Sequence, residues 1–158
     1  MNTKYAGIAL ILIAAILFFS PQDVKIGIFS EELGDMQIVD DVEDNIPANE
    51  AIDVVLRRFP SKGRYYATYQ SHNDTMQIWA EEFDSHDTAY DVFENVKTIP
   101  YLKELNIPGM KSPVVQVNAV DGKTQYYYLK KDRIFVVRFE NSDMDYQMSI
   151  IKEVITNV

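Results

Sequence analysis

Cysteine is absent from these 158 residues. Its absence excludes disulfides, a thiol nucleophile, thiolate-bound zinc and a lipidated thiol. Histidine is nearly absent too, with only His72 and His86. Lysine and arginine are missing from the whole stretch between Ile26 and Leu56, which carries nine Asp and Glu residues. From Arg57 onward, 13 basic residues face 14 acidic ones, so the net charge of −9 belongs to one acidic segment. No basic patch stands out along the chain, which argues against nucleic acid as a partner and against polybasic attachment to anionic lipid. P-loop, dinucleotide-binding, HExxH and GxSxG patterns are all missing, so no cofactor is expected.

One long apolar run is present. Tyr5 to Phe19 has no charge and includes nine large apolar side chains, from Ile8 to Phe19. At bilayer-insertion values these side chains together gain roughly 3 to 5 kcal/mol. Small residues do not fall at −3 and −1 of any position after the run; a cut after Ser20 would place Phe18 at −3. The reading is therefore an uncleaved anchor rather than a removed signal peptide. Lys4 precedes the run, which leaves the N-terminus in the cytoplasm and the rest of the chain outside. The expected organisation is a membrane anchor over residues 1–22, an acidic stalk or linker over 23–47, and an extracytoplasmic α+β domain over 48–158. The lipid bilayer is the first expected partner, through residues 5–19.

Beyond the stalk, the hydrophobic period alternates between helix and strand. Ile52, Val55, Leu56 and Phe59 form an amphipathic stripe that Pro60 ends. "RYYATYQS" and "TMQIWAEEF" read as a hairpin turning at His72 to Asp74. Ser85 or Asp84 caps a second helix, whose buried stripe is Ala89, Val92, Phe93 and Val96. "PYLKELNIPGMKSP" is a connector with a turn at Pro108-Gly109. "VVQVNAV", "TQYYYLKK" and "RIFVVRFE" are three more strands, turning at Asp121-Gly122 and Lys131-Asp132. A last helix starts near Ser142 or Asp143 and shows Met144, Met148, Ile151 and Ile155 on one face, widened by Ile150 and Val154. The predicted fold is α+β: an N-terminal transmembrane helix, then a five-stranded antiparallel sheet packed by three helices on one face, in the order α-ββ-α-βββ-α.

Four sets of residues invite a functional reading. The ten tyrosines are the most unusual feature of the composition. Strand alternation sends Tyr127 and Leu129 to the core, and Tyr66, Tyr126 and Tyr128 to the sheet face opposite the helices. Such a face offers large contact area to a protein or glycan at low entropic cost. His72 and His86, with Glu82 and Asp84, would make a mixed nitrogen–oxygen metal site if the strand and helix ends met. Asn73 heads an N-glycosylation sequon in a turn. The run Ser85-His86-Asp87 is a helix cap rather than a triad, because consecutive helical residues do not face each other. Glu81 and Glu82 point to opposite faces of their strand and cannot act as a carboxylate pair.

Together these features describe a membrane-anchored extracytoplasmic binding or interaction module, an accessory subunit of a membrane or cell-surface assembly. A hydrolytic or metal-assisted enzyme using His72, His86 and the nearby carboxylates ranks below it. A structural subunit of a surface assembly or filament is the third reading.

Overall fold

Runs of Tyr, Val, Ile and Thr between turn residues dictate most of the strands. The computed structural model describes residues 28–39, 50–72, 74–111, 113–119, 121–140 and 143–158. The apolar run, residues 40–47 of the acidic segment and the sequon residue Asn73 lie outside the described residues. Eight strands form: β1 (Glu32–Leu33), β2 (Met36–Val39), β3 (Gly63–Gln70), β4 (Thr75–Glu82), β5 (Lys103–Leu105), β6 (Val114–Asn118), β7 (Thr124–Lys130) and β8 (Arg133–Phe139). Three helices accompany them among the described residues: α1 (Glu50–Leu56), α2 (His86–Lys97) and α3 (Met144–Asn157).

All eight strands belong to one antiparallel sheet in the order β1-β2-β3-β4-β8-β7-β6-β5. Two four-stranded meanders therefore meet along the β4–β8 seam. The expected five-stranded sheet is corrected to eight. The five predicted strands are all there, and β1, β2 and β5 form within segments whose sequence pattern is that of connectors. Residues 32–39, assigned to the stalk, are a hairpin of the sheet. Among the described residues no helix is long and apolar enough to cross a membrane, so the fold described here is the sheet and its three helices without a transmembrane helix.

The helices also cover both faces, not one. Cross-strand register sets two rows of side chains. Tyr65, Ala80, Phe135 and Tyr128 lie opposite one another on one face, and Tyr66, Trp79, Val136, Tyr127 and Val115 on the other. The first row joins Leu33, Met36 and the α3 residues Ile150, Ile151 and Val154 in one core. The second joins Ile52 and Leu56 of α1 with Ala89, Val92, Phe93 and Val96 of α2. Full burial of each such large side chain stabilises by about 1.5–3 kcal/mol. A five-stranded sheet whose helices share one face would leave the other face wet. Here α3 packs alone on one side, and α1 with α2 packs on the other.

The ends of the helices follow local chemistry. Ser85 Oγ accepts the Thr88 N–H at 3.1 Å, and Asp87 sits in the first turn of α2, where its charge complements the helix dipole. Asp143 caps α3 by accepting the N–H groups of Asp145 and Tyr146 at 3.0 and 3.2 Å.

Candidate functional site

Three chain reversals bring a cleft together at one end of the sheet. The first is Pro108-Gly109, where Gly109 adopts φ 90° and the Met110 N–H donates to the Ile107 carbonyl at 3.1 Å. Ile107 is buried in the α3-side core and pins this loop. The second is the two-residue turn Lys131-Asp132 between β7 and β8. The third is the passage from β4 into α2, which places His86 beside that turn. The last turns of α3 complete the wall with Lys152, Ile155 and Thr156. The cleft encloses about 680 Å³, within the usual range for a small-molecule site.

Four lysines line it: Lys111, Lys130, Lys131 and Lys152. No carboxylate is among the lining residues. Lys111, Lys131 and Lys152 pair with no carboxylate among the described residues. The apolar part of the lining includes Ile107, Met110 and Ile155. No basic patch is visible along the sequence, because these lysines come from three distant segments. The fold gathers them.

Each of the inner residues is held by a specific contact. Lys130 donates from Nζ to the Ile155 carbonyl at 2.8 Å and also to the Val158 carbonyl. It thereby satisfies two carbonyls at the end of α3 that lack helical partners. Burial, and then the charge of Lys131, lower its pKa. Lys131 has φ 57°, a left-handed conformation uncommon outside glycine, asparagine and aspartate and costly for a side chain of this size. Its carbonyl lies 2.5 Å from His86 Nδ1. A carbonyl only accepts, so Nδ1 carries the proton and Nε2 is the accepting nitrogen of the ring. Tyr128 also lines the cleft. Its ring stacks on Phe135 with centroids 4.8 Å apart. Its hydroxyl is buried without a hydrogen-bond partner among the described residues, and burial pushes its pKa well up.

Of the residues singled out from the sequence, His86 and Tyr128 line the cleft, and the other described ones fall elsewhere. Tyr126 and Tyr128 are 0% exposed, beneath α3. Tyr126 donates to Gln147 Oε1 at 2.5 Å. Tyr66 is half-buried and packs on the opposite side, against the α1/α2 core. The exposed tyrosine face is thus corrected: Tyr126 and Tyr128 are core residues under α3, and Tyr66 does not share a face with the other two. The four metal candidates do not converge. His72 is exposed at the β3–β4 turn, while Glu82 ends β4, about 24 Å away along an eight-residue strand. Asp84 is exposed. Glu82 is already committed. Arg133 donates to its Oε2 from Nε at 2.9 Å and Nη2 at 2.7 Å, and the Tyr65 hydroxyl donates at 3.0 Å. Hydrogen bonding from Arg133 is the largest cause of its lowered pKa. Among the described residues no group of three or more His, Asp or Glu could hold a metal ion. Glu81 pairs separately with Arg64, at 3.0 and 2.7 Å.

What fold and site define together is a three-layer antiparallel α+β domain with a lysine-lined cleft. No family model matches the chain, and neither a curated protein nor a solved structure does.

Proposed function

We propose that this protein is a binding module, held at the extracytoplasmic face of a membrane through the apolar residues 5–19, which takes an anionic ligand or partner group into the lysine-lined cleft. One observation carries the reading. Three exposed lysines, Lys111, Lys131 and Lys152, without carboxylate partners among the described residues, line a cleft of about 680 Å³ in a chain of net charge −9. An acidic protein that gathers unpaired lysines around a partly apolar concavity has built a local positive potential where its average field is negative. The metal site on which the alternative enzyme reading leans does not assemble among the described residues, because His72 lies far from Glu82 and His86.

Two measurements test it on the full chain. In neutral-lipid nanodiscs, calorimetric titration with naphthalenesulfonate, a compact organic anion, gives one saturable site. A Lys131→Gln/Lys152→Gln double variant weakens that site by about tenfold, the loss of one or two charge-assisted contacts. Equal binding of the neutral analogue naphthalenemethanol overturns the anion reading. Protease added to intact cells digests the domain after residue 48, and its protection there overturns the extracytoplasmic placement.

A further inference from the structure

We infer that the ligand of the lysine-lined cleft is an amphiphile, a single anionic head group on an alkyl chain. The inference rests on the anion-binding reading above and adds the apolar half of the ligand. The lining divides by chemistry. Lys111, Lys131 and Lys152 are exposed, so their ammonium groups supply charge at the rim. Ile107 belongs to the α3-side core, and Met110 and Ile155 pack against that core while still lining the cleft. The apolar surface in the cleft is therefore continuous with the protein interior rather than a scatter of exposed side chains.

A site for inorganic phosphate or another small, fully hydrated anion has no use for such a floor. Those anions are bound by convergent N–H groups, or by the planar fork of arginine where bidentate geometry matters. The cleft has no arginine; beside the imidazole of His86 its charged donors are lysines, and lysine is a point charge on a flexible stem that sets no fixed geometry. That combination suits a head group whose tail does the orienting. Lys130 does not take part directly, because its ammonium is committed to the Ile155 and Val158 carbonyls. Its role is to hold the end of α3, and so Ile155, against the cleft.

Carboxylate- and phosphate-headed amphiphiles share this chemistry, and either a free alkyl carboxylate or a lipid of the adjoining bilayer could supply it. The test titrates full chain in phosphatidylcholine nanodiscs with hexanoate, octanoate, decanoate and decanol. Empty nanodiscs correct for partitioning. Affinity should rise with chain length, by up to about fourfold per buried methylene, and decanol should bind at least about tenfold more weakly than decanoate. Met110→Gln should flatten the length dependence while keeping the head-group contribution. Adding phosphatidylglycerol to the nanodiscs identifies the source. Competition with decanoate makes the bilayer lipid the ligand, and undiminished binding makes it the free carboxylate. An affinity independent of chain length overturns the amphiphile and leaves the anion site standing. Equal affinity for decanol and decanoate overturns both, as does no binding by any member of the series.

Discussion

Glu82 shows how one side chain can be read two ways. In the sequence either Glu81 or Glu82, near Trp79 and Phe83, could be a carboxyl with a raised pKa. In the fold Glu82 is buried at 7% exposure, yet three donors converge on it. The Arg133 guanidinium outweighs desolvation, and its carboxyl sits below the usual carboxylate range. The sign of the pH effect follows. The unfolded chain protonates Glu82 more readily than the folded one does. The stability this group confers is therefore complete above its unfolded pKa of about 4.3, and is lost as pH falls through the lower folded value. Glu82→Gln should cost about 1–3 kcal/mol near pH 7. In urea titrations the gap between variant and wild type should shrink below about pH 4. A gap that stays constant down to about pH 2 would mean that Arg133 is not the group lowering the carboxyl.

Among elements, the short edge strands are where sequence and structure part. The hairpin of β1 and β2 has only two and four residues, too few for a period-2 pattern to emerge from an acidic background. Its signal was the dipeptide Gly34-Asp35. Gly34 has φ +64° at the first position of a two-residue turn, the place glycine takes in type II′ hairpins. A Cβ there would come within 2.8 Å of Ile150 Cδ1, so the turn also packs directly under α3. Gly34→Ala should destabilise by about 1–2 kcal/mol, from left-handed strain more than from the clash, because the end of an isoleucine side chain can shift. Chemical denaturation measures this, and an unchanged midpoint would show that the hairpin contributes nothing to the fold. The longer elements were legible for a plain reason: their patterns repeat. Ala89, Val92, Phe93 and Val96 are the buried stripe of α2, as their spacing predicts. In α3 the spacing misleads by a small rotation. Met144 starts the predicted stripe but lies in the first turn at 45% exposure, and Gln147 takes the buried position, held by the Tyr126 hydroxyl. A polar residue inside an apolar stripe carries no signal until its partner is known.

For the whole molecule, the layer arrangement decides what the sequence could not. Strand alternation correctly divides Tyr127 from Tyr126 and Tyr128, but which face is covered depends on where the helices cross, and helix crossings leave no trace in a local pattern. With α3 on one side and α1 with α2 on the other, Tyr126, Tyr127 and Tyr128 all become core. The cleft is illegible for the same reason. Lys111, Lys130, Lys131 and Lys152 meet only because β5 to β8 run as a meander and α3 returns along it. That origin has a thermodynamic consequence. The walls come from α2, the β7–β8 turn, the loop after β5 and the end of α3, so no wall survives the loss of the sheet. A ligand of the cleft binds the folded domain and not the unfolded chain, and must stabilise the domain as a unit. At a decanoate concentration about a hundredfold above its Kd, the gain is about 2.7 kcal/mol. For a domain of this size the unfolding midpoint then rises by on the order of 10 °C. Trp79 fluorescence, reporting the α1/α2 side, and far-UV circular dichroism, reporting the whole fold, should shift together. Added salt should reduce the shift, because exposed lysines are screened over about 8 Å at physiological ionic strength. A midpoint that ignores saturating decanoate, or one that moves by the same amount with decanol, would separate the cleft from anion binding altogether.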